Sequence, residues 1–454
     1  MSMTHRARLA LATSASGPEP SLVSLAWLAG LSDRRCRVQH FRTRACPLAT
    51  GSVGQVTGLP GRHLDAWLMP SDVCRKVFER GARRADLALV EGTLEEPCLV
   101  SDGAGYDRPG ELRPIAEALD LPIVAVLPYQ PWDQLHLPCL PPGVEALVID
   151  GLEDPSDFEA YRSIVSMMAK KPVVAAVEAL PEIRAVLREA HWDQALPESM
   201  VQQLRASFLR FADFGAIQAL ARSRPFPGCA PEPEEPRKAH RFRVAYAQDD
   251  AFGSYFPDTL ETLESLGAEL VEFSPLTDER LPQAIDLVMI GCGFPDKYAD
   301  QLAENLSLIA ALRSHVCRGH RIYSEGGGTA YLCQSMTLDG RRVNGAGIFP
   351  FDAERLVVPK PPTAVTSTIC REGWMAPKGT VVRGYNPGRW RLHPSLEPVD
   401  CPSCFGMLTS QGDITYHHHA IGSLLHLHLG SLPEVVSAFA VPHHPSLTLP
   451  SSHP

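Results

Sequence analysis

Short apolar runs alternate with amphipathic stretches along most of this chain, and that alternation constrains its fold more than any other feature. In the first half the runs fall at residues 9–13, 36–41, 86–90, 122–127, 146–149 and 172–177. Each is rich in Val, Ile, Leu or Ala, as strands buried on both faces of a parallel sheet require. Amphipathic stretches such as 71–85 and 158–170 lie between them. The βαβ rhythm predicts a doubly wound α/β sheet. Residues 222–241 then carry five prolines and clustered charge, which neither a helix nor a central strand accepts. Beyond them the alternation restarts at 242–247, 269–273, 284–290 and 321–323, with helical stretches at 258–266 and 298–318. From about Ser335 the pattern loosens into a β- and turn-rich segment.

A chain of 454 residues is long enough for two such domains. We expect one over 1–225, a linker over 226–240, a second domain over 241–440 and a disordered tail over 441–454. The net charge of −10 and the absence of a basic run argue against nucleic acid or an anionic membrane as partner. Twelve cysteines are too sparse for a disulfide scaffold and read as free thiols in a reducing compartment. The apolar stretch near the N-terminus, 9–12, is too short for a signal-peptide core, and no apolar run approaches bilayer length. The expectation is a cytoplasmic protein.

Three segments of the second half carry a resemblance. They are AFGSYFPDTLETLESLGAELVEFSP at 251–275, IGCGFPD at 290–296, and IYSEGGGTAYL at 322–332, followed late in the chain by SLLHLHLGS at 423–431. In this order and spacing they resemble the glutamine amidotransferase domain of the cobyrinic acid a,c-diamide synthases. In the first half RHLDAWLM at 62–69 and ADLALVEG at 85–92 resemble that family's ATP-dependent domain. The resemblance implies a P-loop, dethiobiotin-synthetase-like N-terminal domain and a class I glutamine amidotransferase-like C-terminal domain. It implies ATP and magnesium as cofactors and a tetrapyrrole or corrinoid small molecule as partner; a homodimer is one assembly left open. The chemistry implied is amidation: a carboxylate is phosphorylated, and ammonia released from glutamine displaces the phosphate.

Both catalytic loops depart from the family pattern. A glutaminase of this class needs a thiolate on a strand-to-helix turn, where the helix N-terminus lowers its pKa. The family's Glu-Cys-Gly-Gly reads Glu325-Gly326-Gly327-Gly328 here, so Gly326 stands where the nucleophile belongs. Cys333 lies seven residues further on, about 10 Å along a helix. Cys292 lies between Gly291 and Gly293, the turn that by resemblance supplies oxyanion-hole N–H groups. Its two readings are a relocated thiol and a small residue tolerated in a turn. His426 matches the family's base, or is an inherited pocket histidine. If residues 426–428 are a strand, His428 shares its face.

The phosphate loop of the resemblance falls at 13–21. A P-loop closes backbone N–H groups, a lysine and a hydroxyl around phosphate and magnesium. Here Thr13 and Glu19 replace the framing glycines and Pro20 replaces the lysine, leaving Ser16, Gly17 and Ser21. Prolines remove donors, and Glu19 repels phosphate charge. Glu91, at the end of a strand, is the magnesium candidate, and Asp65 is a retained loop carboxylate; either is equally a solvated carboxylate. Cys401 and Cys404 have the spacing of a zinc knuckle, with His417, His418 and His419 following, or are a loop with two thiols.

Two functions remain open from the residues. One is a cobyrinic acid a,c-diamide synthase-like protein of cobalamin or tetrapyrrole biosynthesis, lacking glutaminase and normal ATP use. The other is a non-catalytic protein that binds a tetrapyrrole or regulates a partner enzyme.

Overall fold

The computed structural model describes residues 7–13, 21–45, 51–94, 108–189, 195–225, 242–356, 362–395 and 405–439. The predicted linker and tail, and residues 14–20 of the phosphate loop with Ser16 and Gly17, lie outside the described residues. The chain divides into two compact units, Met1–Pro233 and Glu234–Pro454.

The first unit is built on seven strands: β1 (Ala7–Thr13), β2 (Val38–Arg42), β3 (Arg62–His63), β4 (Leu87–Thr93), β5 (Ile123–Pro128), β6 (Val144–Leu152) and β7 (Val173–Glu178). They form one sheet in the order β3-β2-β4-β1-β5-β6-β7, parallel throughout. All six apolar runs of the first half are strands of this sheet, because each is covered on both faces. Leu9, Leu11, Leu89, Val124 and Val148 are fully buried. The chain leaves β1 toward β2, on one side, and leaves β4 toward β5, on the other. The direction of winding therefore reverses between the carboxyl ends of β1 and β4, where open α/β sheets bind ligands. The helix Leu22–Asp33, which starts just after the phosphate-loop segment, is buried from Leu22 to Leu31. It packs on the helix Glu198–Phe211 through Trp27 and Phe208, whose rings lie 5.3 Å apart.

The second unit begins with β8 (Phe242–Ala247), β9 (Phe252–Ser254), β10 (Ala268–Phe273), β11 (Leu287–Ile290), β12 (Cys292–Gly293) and β13 (Arg321–Glu325). The β-rich region follows with β14 (Cys333–Leu338), β15 (Arg341–Asn344), β16 (Phe349–Arg355), β17 (Thr363–Thr368), β18 (Val381–Asn386), β19 (Trp390–Pro394), β20 (Phe405–Met407), β21 (Ile414–His417) and β22 (Ala420–Ser423). The main sheet runs β10-β8-β11-β13-β22-β21-β20, parallel from β10 to β22 and antiparallel at the last two strands. A four-stranded sheet, β15-β14-β16-β19, packs beside it around Phe349, Phe351 and Trp390.

The helical stretch expected over 298–318 is two helices, Ala299–Glu304 and Leu306–Cys317. Asn305 divides them: its side chain caps the second by accepting from Leu308 N–H at 3.2 Å. Asp296, closing the GCGFPD turn, is half-buried with its carboxylate turned inward, and pairs with Arg355 at 3.0 Å and Arg389 at 3.2 Å. These pairs tie the turn after β11 to the second sheet. Among the described residues no helix is long and apolar enough to cross a membrane.

Candidate active site

The carboxyl end of β13 delivers Glu325 into a sharp turn. Gly326 has φ +51 and ψ −113, and the helix Gly327–Leu332 starts immediately after it. That is the strand-turn-helix geometry of a nucleophile elbow, and its positive φ favours glycine. Gly326 N–H donates to Ser423 O at 2.8 Å, fixing the turn against β22. A Cβ on Gly328 would strike the Ile290 carbonyl, so the turn after β11 can press directly on the helix start.

That turn brings Cys292 to the elbow. Its Sγ lies 2.7 Å from His426 Nε2, 3.2 Å from His426 Nδ1 and 3.8 Å from Glu325 Oε2. A Cβ built on Gly326 would stand 3.1 Å from this sulfur and 3.3 Å from His426 Nε2. The thiol of Cys292 thus reaches the space that a side chain on residue 326 would enter. Cys333 turns away: its thiol donates to Thr329 O at 3.3 Å inside the core, and burial pushes its pKa up.

The site is closed and weakly charged. Cys292 and His426 are each 1% exposed. Burial lowers the His426 pKa to about 3, so the imidazole is neutral at pH 7. Burial raises Glu325 to about 7, against hydrogen bonds from Tyr323 Oη, Leu427 N–H and the Cys292 thiol. Of the two oxyanion-turn glycines, Gly291 donates its N–H to Tyr255 Oη at 2.9 Å, and that phenol donates to Ala247 O at 2.9 Å. Gly293 lies in β12, paired with Phe252 of β9.

His426 is not on a regular strand. It forms an isolated bridge with Tyr385 of β18, donating its N–H to Tyr385 O at 2.8 Å. The next residues bend into the 3₁₀ turn Leu429–Ser431. The expected shared face is therefore corrected: His426 meets Cys292, whereas His428 packs against Phe256, ring centroids 5.0 Å apart and tilted, and lies 4.0 Å from Asp258 Oδ2. Alternation of side chains needs a continuous extended backbone, and the bend removes it.

In the first unit the carboxylates singled out by sequence are engaged internally. Glu91, at the end of β4, takes Ser21 N–H at 2.7 Å on Oε1 and His40 Nε2 at 3.0 Å on Oε2, with Arg42 Nε at 3.8 Å. Burial raises its pKa, but His40, Arg42 and the Ser21 N–H outweigh that and hold it at about 2. Ser21 caps the helix Leu22–Asp33, its hydroxyl accepting from Ser24 N–H. Asp65 is fully buried and accepts from the N–H groups of Ala45 and Trp67, organising its own loop. Glu91 and Ser21 are bonded to protein groups rather than left as an open carboxylate and hydroxyl pair for magnesium. His40, inside the apolar run 36–41, and Arg42, just past its end, complete this cluster and escaped the sequence reading. Cys401 and Cys404 lie outside the described residues, and His417 Nδ1 pairs with Ile348 O.

Comparison with known proteins agrees with this geometry. Residues 243–431 match the CobB/CobQ-like glutamine amidotransferase domain. The cobyrinate a,c-diamide synthase of Salmonella typhimurium is 29% identical over 377 residues, covering 77% of this chain and 78% of that protein. The one from Dehalococcoides mccartyi is 26% identical over 463 residues, covering 95% and 97%. The one from Synechocystis is 28% identical over 349 residues, covering 71% and 69%. Residues 243–431 thus match a CobB/CobQ-like glutamine amidotransferase domain, and the chain is similar over most of its length to the cobyrinate a,c-diamide synthases, the family its motifs resemble.

Proposed function

We propose that this chain is a cobyrinate a,c-diamide synthase-like protein of cobalamin biosynthesis that handles a corrinoid carboxylate and has given up elbow-thiolate glutamine hydrolysis. The reaction this reading assigns is transfer of the ATP γ-phosphoryl group to a corrinoid carboxylate, followed by attack of ammonia on the acyl carbon with phosphate leaving as the amide forms. Ammonium replaces glutamine as the nitrogen source, and ATP is not gripped by a regular P-loop. The observation that carries it is Gly326: the elbow backbone has φ +51, a conformation glycine adopts without strain, beside His426, with no side chain to attack from it. The similarity running through both halves supports a corrinoid rather than some other acceptor.

The test is amidation of cobyrinic acid by the full chain with ATP–magnesium and either ammonium or glutamine, read by mass spectrometry. The reading expects product with ammonium and none with glutamine. A second reading is favoured by the internally paired Glu91: the chain binds the corrinoid and performs no amidation. Corrinoid binding by calorimetry, with no product from either nitrogen source, selects it. No binding and no product ends both.

A further inference from the structure

Glu325, Cys292 and His426 come from three separate elements: the end of β13, β12, and the segment after β22. Backbone pairing holds each one: Glu325 to Ser423, Cys292 to Ser254, and His426 to Tyr385. One ligand atom from each lies within 4.8 Å of the others, and all three residues are buried. We propose that Cys292, Glu325 and His426 bind a thiophilic divalent cation of the zinc class, with the fourth position open to water.

The donor set is the first argument. A thiolate, an imidazole and a carboxylate are zinc's ordinary ligands, and three protein ligands leave one position for water. The carboxylate is also oriented for it. Glu325 Oε1 accepts from Tyr323 Oη at 2.6 Å and from Leu427 N–H at 3.2 Å, which leaves Oε2 facing the sulfur. Outer hydrogen bonds of this kind aim metal-binding carboxylates. The donors on Glu325 are a phenol, a backbone N–H and a thiol, none of them charged. A cation supplies the positive charge, and its binding releases the thiol proton to solvent.

Space is the second argument. The Cβ position of residue 326 falls 3.1 Å from Sγ and 3.3 Å from Nε2, so a side chain there would stand among the ligand atoms. Glycine leaves that volume to the cation. A tetrahedral site with metal–sulfur near 2.3 Å and metal–nitrogen near 2.0 Å has a ligand edge of about 3.5 Å. The Sγ–Nε2 distance of 2.7 Å opens to that value by a small rotation of the cysteine side chain. The competing use, a relocated nucleophile, fits less well: the Gly291 N–H that would stabilise an oxyanion is spent on Tyr255 Oη, and the imidazole is tied to a sulfur 1% exposed. The inference needs only these three side chains and not the corrinoid reading.

The experiment titrates the chelator-stripped full chain with Co²⁺ under reducing, anaerobic conditions, with no corrinoid present. Expected is one equivalent bound, with a thiolate-to-cobalt charge-transfer band that Zn²⁺ abolishes. Cys292→Ser removes the band, Gly326→Ala blocks binding, and Tyr323→Phe weakens it by roughly tenfold or more. Circular dichroism checks the fold of each variant. If Cys292→Ser does not fold, the wild-type band and Gly326→Ala decide. No thiolate band in wild type, or an unchanged band in folded Cys292→Ser or Gly326→Ala, overturns the proposal. So does alkylation of Cys292 by a glutamine-like electrophile at a rate that excess Zn²⁺ leaves unchanged.

Discussion

The sulfur of Cys292 lies 2.7 Å from Nε2 of His426, although 134 residues separate them in sequence. This contact fills the space between the base and the elbow. Restoring the attacking thiol therefore takes two changes. Gly326→Cys alone places its Cβ 3.1 Å from the Cys292 sulfur, tighter than ordinary packing, and is expected to give no glutaminase. Gly326→Cys combined with Cys292→Gly clears the space, and glutamate release should rise on the order of 100-fold over the single variant. An active single variant would show that Cys292 moves aside freely.

Glu91 should make the first unit acid-sensitive. Its folded pKa of about 2 lies below the ordinary 4.5, so its stabilisation is fully present above pH 4.5 and disappears as pH falls toward 2. At 1.36 kcal/mol per pH unit the difference corresponds to about 3 kcal/mol. Glu91→Gln should destabilise the unit by an amount of that order at pH 7 and by much less at pH 3. Urea unfolding at the two pH values measures it, and an equal loss at both would contradict the charge account.

Asp296 holds two arginines at the turn that carries Cys292. Asp296→Asn leaves Arg389, 9% exposed at its side chain, without this carboxylate. Losing one partner of a fully buried pair costs 3–5 kcal/mol; Arg355 is 29% exposed and discounts that figure, so about 2 kcal/mol is expected. The melting transition should fall, and Asp296→Glu should recover part of it.

Gly30 lies under Phe208 in the first unit. Alanine would improve helix propensity by about 1 kcal/mol, but its Cβ would overlap the ring, and overpacking costs about 1–3 kcal/mol. The net expectation for Gly30→Ala is destabilisation of about 1 kcal/mol, relieved when Phe208→Leu accompanies it. Chemical denaturation of the single and double variants checks this.

The parallel strands were legible because a strand covered on both faces is apolar at most positions, as Leu9, Ala10 and Leu11 show. The same completeness of burial hid the helix Leu22–Asp33, which has no polar face to give it a period. The two-residue β3 and β12 and the four-residue β22 were too short to read. The elbow could be placed from Glu325-Gly326-Gly327-Gly328 after an apolar strand. What fills it could not, because the Cys292–His426 distance depends on how β11, β13 and β22 align. The sequence left Cys292 with two readings, and only the folded geometry joined it to His426 and Glu325. His428 went astray for a local reason: the chain bends after His426 instead of continuing extended.

The most direct test is glutamate release from glutamine by the full chain, with ATP–magnesium and cobyrinic acid present. An elbow that ends in Gly326, with its base tied to Cys292, predicts no release above an enzyme-free control. Glutamine turnover that Cys292→Ala or His426→Ala abolishes would contradict it, because a working thiol would then stand at this turn.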